Sequence, residues 1–214
     1  MAISTALWSF ALVVGLLTLT PGLDTALILR TSALGRRKRA LGVVLGIQSG
    51  TLVWGALTSL GVTALLTASH VAYEALRYAG AAYLLWMGGR MIISTLRGRV
   101  AEGVELPGAE APEGADRLAA GWRQGALTNL LNPKMGVFYV AVLPQFIPAG
   151  APHFATGLLL TGVHIVLGLL WSALLVSFAQ VLRGRLQRPQ ARRLLDRITG
   201  TVIAGFGLRL AMSD

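Results

Sequence analysis

The 214-residue chain contains no cysteine. That excludes a disulfide framework, a thiolate metal site and a cysteine nucleophile, and it leaves the redox compartment unreadable. Charge is also scarce. Only 13% of residues are Asp, Glu, Lys or Arg, against about a quarter in an ordinary soluble domain. Acids are the rarest part, with nine Asp and Glu against nineteen Lys and Arg. There is no Gly-Lys-Ser/Thr phosphate loop, so ATP does not drive the protein directly. There is no His-Glu-x-x-His and no Gly-x-Ser-x-Gly, and the three histidines, His70, His153 and His164, are scattered. No nucleophile and base stand in a recognisable pair, so the chain is not expected to be an enzyme, to hold a metal or to carry a cofactor.

What the chain has is apolar sequence in long blocks. Hydrophobic residues make up 54% of it, and the mean hydropathy is +0.65. A soluble enzyme, a secreted scaffold, a disordered chain and a fibrous repeat are thereby set aside in favour of a polytopic membrane protein. Six apolar stretches run over 4–29, 40–67, 71–93, 124–147, 154–182 and 198–212. About 20 residues at 1.5 Å each cross a hydrocarbon core of about 30 Å. The first five are long enough. The sixth is short and carries Arg209, which suits a tilted span, a locally thinned bilayer or an interfacial helix. The first stretch is expected to be retained rather than cleaved. It has no basic residue before Arg30 and is longer than a signal-peptide core.

Basic residues set the orientation. Arg30, Arg36, Arg37, Lys38 and Arg39 follow the first stretch. Arg90, Arg97, Arg99, Arg117 and Arg123 surround the third connection. Arg183, Arg185, Arg188, Arg192, Arg193 and Arg197 precede the last stretch. Sixteen of nineteen thus fall on one side, and the turns near Ser69 and Pro148 have none. The positive-inside rule puts these loops in the cytoplasm and both termini on the outer side. Orientation and contact with anionic lipid account for the net charge of +10, with no need for nucleic acid.

The segment 98–120, with five acids, two prolines and small residues, reads as a solvated cytoplasmic linker. It divides the chain into 1–97 and 121–214, each with three stretches. Three is odd, so the second half enters the membrane in the opposite sense. The expected fold is all-α, with six transmembrane helices forming two inverted three-helix repeats. Gly42 and Gly157, Gln48 and His164, and Trp54 and Trp171 correspond loosely between the halves.

Each half begins with an interrupted stretch. Thr20-Pro21-Gly22 breaks the first and Asn132-Pro133-Lys134 breaks the fourth. Both prolines lie about 14–15 Å from a cytoplasmic boundary, near mid-membrane. Proline inside a helix removes a hydrogen bond and clashes, at roughly 3 kcal/mol. In lipid such a break persists only where protein or a wet cavity covers it, and paired interruptions point to a transporter binding site. Histidine aside, Asp24 and Lys134 are the only ionisable groups deep in apolar sequence, and each follows a break directly. Two arrangements suit them. One is a mutual ion pair holding the halves together. In the other, Asp24 receives a ligand ammonium and Lys134 a ligand carboxylate. A zwitterion exchanging into the pair makes the two compatible. Thr20, Pro21, Gly22, Gln48, Asn129, Asn132 and Pro133 complete the expected substrate site, and Asp24 and His164 are the proton-coupling candidates. Gly42, Gly46 and Gly50 recur every four residues, a smooth face for close helix packing. Homodimer contact is the other use of such a face.

The motifs Thr20-Pro21-Gly22-Leu23-Asp24, Gly80-Ala81-Ala82-Tyr83-Leu84-Leu85-Trp86-Met87-Gly88, Asn129-Leu130-Leu131-Asn132-Pro133-Lys134 and Leu143-Pro144-Gln145-Phe146 together resemble the LysE/RhtB family of amino-acid exporters. The resemblance covers nearly the whole chain. The family motif usually reads Thr-Pro-Gly-Pro-Asp, and Leu23 here replaces the second proline. The resemblance implies efflux of amino acids or close derivatives from the bacterial cytoplasm, driven by the proton or membrane potential. Export of an ion or another small metabolite is the nearest alternative. A non-transporting membrane scaffold or an intramembrane enzyme is the alternative of another class.

Overall fold

The fold was analysed in a computed structural model, which describes residues 2–33, 35–68 and 117–179 together with helical positions spaced through 71–96 and 190–212. The expected linker, and most of the third and sixth stretches, lie outside the described residues. Among the described residues there is no strand. The architecture is all-helical.

The first stretch is two helices, α1 (Ile3–Leu19) and α2 (Leu23–Ala33), bent by 55° at the break. Ala6, Phe10, Val13, Val14 and Leu17 form the buried face of α1, at the spacing that puts side chains on one side of a helix. Trp8 and Leu12 are exposed on the other side, as suits a lipid-facing surface. α3 (Arg37–Ala68) is unbroken. The fourth stretch is segmented. It comprises α4 (Leu118–Leu130), α5 (Pro133–Val137), a π-helical turn (Phe138–Val142) and a 3₁₀ turn (Leu143–Phe146). α6 (His153–Ser177) is again continuous. Residues 37–61 of α3 and all of α6 are long and apolar enough to cross a membrane alone, and α1 and α2 meet the same measure when taken together as one bent pair.

α3 organises the bundle by packing along both α4 and α6. Its glycines set the distance. A Cβ on Gly42 would strike the Leu118 carbonyl, and one on Gly46 the Trp122 carbonyl. Reciprocally, a Cβ on Gly121 would strike the Arg39 carbonyl, and one on Gly125 that of Val43. The two helices meet backbone to backbone, as small residues permit where lipid supplies no hydrophobic drive. On α6, Thr161 fills the space beside Gly55, and Ser59 that beside Gly157. Those two hydroxyls donate back to carbonyls one turn earlier, Ser59 to Gly55 at 2.7 Å and Thr161 to Gly157 at 2.8 Å. That is how a hydroxyl is satisfied within an apolar helix.

Two apolar clusters flank the centre. One gathers Phe10, Phe138, Phe146, Leu143 and Leu160; the other gathers Leu27, Ile28, Val43, Ile47 and Leu175. Each draws on both halves of the chain.

Candidate functional site

The site begins with two missing hydrogen-bond donors. Pro21 has no N–H, so the Leu17 carbonyl loses its helical partner, and Pro133 does the same to the Asn129 carbonyl. Within a bilayer each needs a donor from protein or from a wet cavity. Side chains from the opposite half fill both vacancies. Lys134 Nζ donates to the Leu17 carbonyl at 2.9 Å and to the Thr20 carbonyl at 3.2 Å. Trp54 Nε1 donates to the Asn129 carbonyl at 3.4 Å, which also accepts the Asn132 N–H at 3.1 Å.

The same break explains where the charges sit. Lys134 caps the carbonyl end of α1, where a helix is electronegative. Asp24 lies in the first turn of α2, where a helix is electropositive. Cutting one span in two makes an end suited to each sign.

Asn129, fully buried on α4, donates from Nδ2 to Asp24 Oδ2 at 2.9 Å. Asn132 caps α5 by accepting the Lys134 N–H at 3.1 Å. In these hydrogen bonds each of the two charges meets a neutral partner. Asp24 goes to an asparagine, and Lys134 to main-chain carbonyls. Asp24 Oδ1 and Asn129 Oδ1 are buried and have no hydrogen-bond partner among the described residues.

These groups line a cavity of about 60 Å³, large enough to admit water. Thr20, Gly22, Asp24, Gln48, Asn129, Asn132, Lys134 and His164 all reach it. Eight positions chosen from the sequence are thus brought together, and Pro21 and Pro133 supply the breaks. The positions matched between the halves, Gln48 and His164, face the same space. Gln48 lies against Gly168, whose added Cβ would stand 3.0 Å from the amide.

His164 is more tightly engaged than its sequence context implied. Its Nδ1 is 2.9 Å from the Tyr139 hydroxyl. The two rings are nearly parallel at 15°, and Phe138 meets the imidazole edge-on at 72°. Tyr139 escaped sequence reasoning because it lies in a run of apolar residues. The cavity also takes in Thr25, Thr51, Trp171 and Ser172. Only Trp171 had a sequence signal, through its correspondence with Trp54.

A model of the LysE type translocator family matches residues 15–214. The chain belongs to this family. Among its relatives, the uncharacterized membrane protein YrhP of Bacillus subtilis (strain 168) is 24% identical over 97% of this chain and 99% of its own length. The leucine efflux protein of Enterobacter sp. (strain 638) is 29% identical over 95% of this chain and 94% of its own. The homoserine/homoserine lactone efflux protein of Salmonella typhi is 30% identical over 95% of this chain and 96% of its own. No solved structure matches. Family membership and the long apolar helices make this LysE-type chain a multi-pass membrane protein.

Proposed function

We propose that the chain exports amino acids or close derivatives across the bacterial inner membrane, by secondary active transport with alternating access. One observation carries the reading. The acid and the base of the apolar interior, supplied by opposite halves, line one cavity at the helix breaks. Charges in a bilayer interior cost at least about 2.5–3.5 kcal/mol on insertion scales and mark substrate or ion pathways. Relatives named for leucine efflux and for homoserine/homoserine lactone efflux support the substrate class.

In this reading Asp24 receives the substrate ammonium, with Asn129 holding its carboxylate in place. Lys134 contributes positive charge for the substrate carboxylate. Thr20, Gly22, Gln48 and Asn132 shape the rest of the site between the Pro21 and Pro133 breaks. Protonation of Asp24 in exchange for substrate couples export to the proton gradient, and His164 is the second coupling candidate. Residues 1–97 and 121–214 act as two inverted three-helix repeats that rock about the cavity. Both termini are periplasmic.

A retention assay tests the function. Cells expressing the chain, grown across a panel of inhibitory amino acids, are expected to tolerate at least one and to accumulate it outside. Tolerance confined to an inorganic ion or an unrelated metabolite would replace the substrate class. The cysteine-free background suits a test of orientation. Ser4→Cys is expected to react with an impermeant maleimide from the periplasmic face, and reaction from the cytoplasmic face alone would reverse the topology.

A further inference from the structure

Among the five tryptophans, Trp54 and Trp171 correspond loosely in sequence between the two halves, and they are used differently. Trp54 gives its indole N–H to the Asn129 carbonyl, which Pro133 deprives of its regular helical donor. The corresponding carbonyl in the first half is that of Leu17, and Lys134 already holds it. Trp171 Nε1 is accordingly left over. It is buried without a hydrogen-bond partner among the described residues, on a side chain that lines the cavity. A buried donor left unmade costs about 1–3 kcal/mol. Phenylalanine, though smaller, would line the wall without that cost, so packing gives no reason for the N–H itself.

The unpartnered atoms around the cavity form a set. Asp24 Oδ1 and Asn129 Oδ1 are acceptors, and Trp171 Nε1 is a donor. A ligand that satisfies all three offers a cationic donor to the first two and an anionic acceptor to the third. We infer that Trp171 is a substrate-binding residue whose indole N–H receives the carboxylate of a small α-amino acid with an uncharged side chain. Lys134, tied by two hydrogen bonds to the end of α1, supplies charge to that carboxylate from a fixed position. The side chain is uncharged because Asp24 is the only acid among the described residues lining the cavity. A second ammonium would enter with nothing to meet it. Thr25, Thr51 and Ser172 leave that part of the wall hydroxyl-lined and neutral. The inference rests on the export reading and names the substrate class and a recognition residue within it.

Full-length protein in proteoliposomes, loaded with radiolabelled L-threonine, L-leucine or L-lysine, tests both parts. Transport is expected for a neutral probe and not for lysine. The better neutral probe is then competed with its decarboxylated counterpart, 1-amino-2-propanol or isoamylamine. Trp171→Phe is expected to raise KM for the amino acid about tenfold and to leave inhibition by the amine unchanged. Lys134→Met is the comparison, expected to lower thermal stability as well, because it uncaps Leu17. The wild-type chain gives a readout independent of any variant's folding. The neutral amino acid, and not its amine, is expected to shield Trp171 from N-bromosuccinimide oxidation followed by peptide mass spectrometry. Transport of a neutral probe with KM unchanged in Trp171→Phe, or with Trp171 unshielded, overturns the assignment while leaving the export reading intact. Lysine transported as well as the neutral probes overturns the uncharged-side-chain class. Failure of the wild-type chain to transport any probe defeats the export reading and the inference with it.

Discussion

Asp24→Asn is expected to abolish export while the protein still reaches the membrane and folds. The substitution keeps the shape of the side chain and can keep a hydrogen bond to Asn129, but it removes the only acid among the described residues lining the cavity. A hydrogen bond to a charged group contributes about 1.5–3 kcal/mol, and each 1.4 kcal/mol is tenfold. Loss of the ammonium contact alone thus predicts a rise in KM of about tenfold to a hundredfold. Loss of the titrating group removes proton-driven accumulation altogether. Initial export rates measured with and without an imposed pH gradient, at matched membrane abundance, separate the two effects. Export at the wild-type rate would remove Asp24 from the mechanism and revive the scaffold alternative.

Gly46→Val is expected to have the largest effect on stability. A Cβ at this position overlaps the Trp122 carbonyl and lies 2.7 Å from the Ala126 amide nitrogen. Both obstacles are main chain, so no side chain can swing aside and the two helices must part. Overpacking a close-packed interior costs about 1–3 kcal/mol and occasionally more, and a branched side chain against backbone belongs at the upper end. At roughly 2–4 °C per kcal/mol for a chain of this size, the melting temperature in detergent should fall by about 10 °C. Gly162→Ala is the control. An added Cβ there meets nothing within 4 Å, and its melting curve should overlay the wild type. A Gly46→Val protein as stable as the wild type would mean that α3 and α4 do not approach as described.

The parts of this arrangement legible in the sequence share a property: each depends on a residue's own chemistry. Proline cannot donate, so Pro21 and Pro133 announce their breaks wherever they stand. A charge in an apolar run is costly wherever its partner lies, so Asp24 and Lys134 stood out. Glycines four apart on α3 advertised close packing, though which helix they meet depends on the fold. The contacts themselves were not legible. Asn129 and Asp24 are 105 positions apart, and nothing in either neighbourhood names the other. Lys134 pairs with main-chain carbonyls, which carry no residue identity for a pattern to find. The Tyr139–His164 bond was hidden for a related reason, since a tyrosine in an apolar run reads as packing. The π-helical turn that carries Tyr139 has no compositional mark at all.

The lysine that seals the end of α1 makes one half of the chain a guarantor of the other half's backbone. Any rearrangement that draws the fourth stretch away from the first strips two acceptors at once, and each unmet carbonyl exacts about 1–3 kcal/mol in a dry interior. Separation is therefore self-limiting unless water or an incoming donor arrives in the same step. Opening the bundle at the helix fracture would thus call for a substitute donor at these two carbonyls.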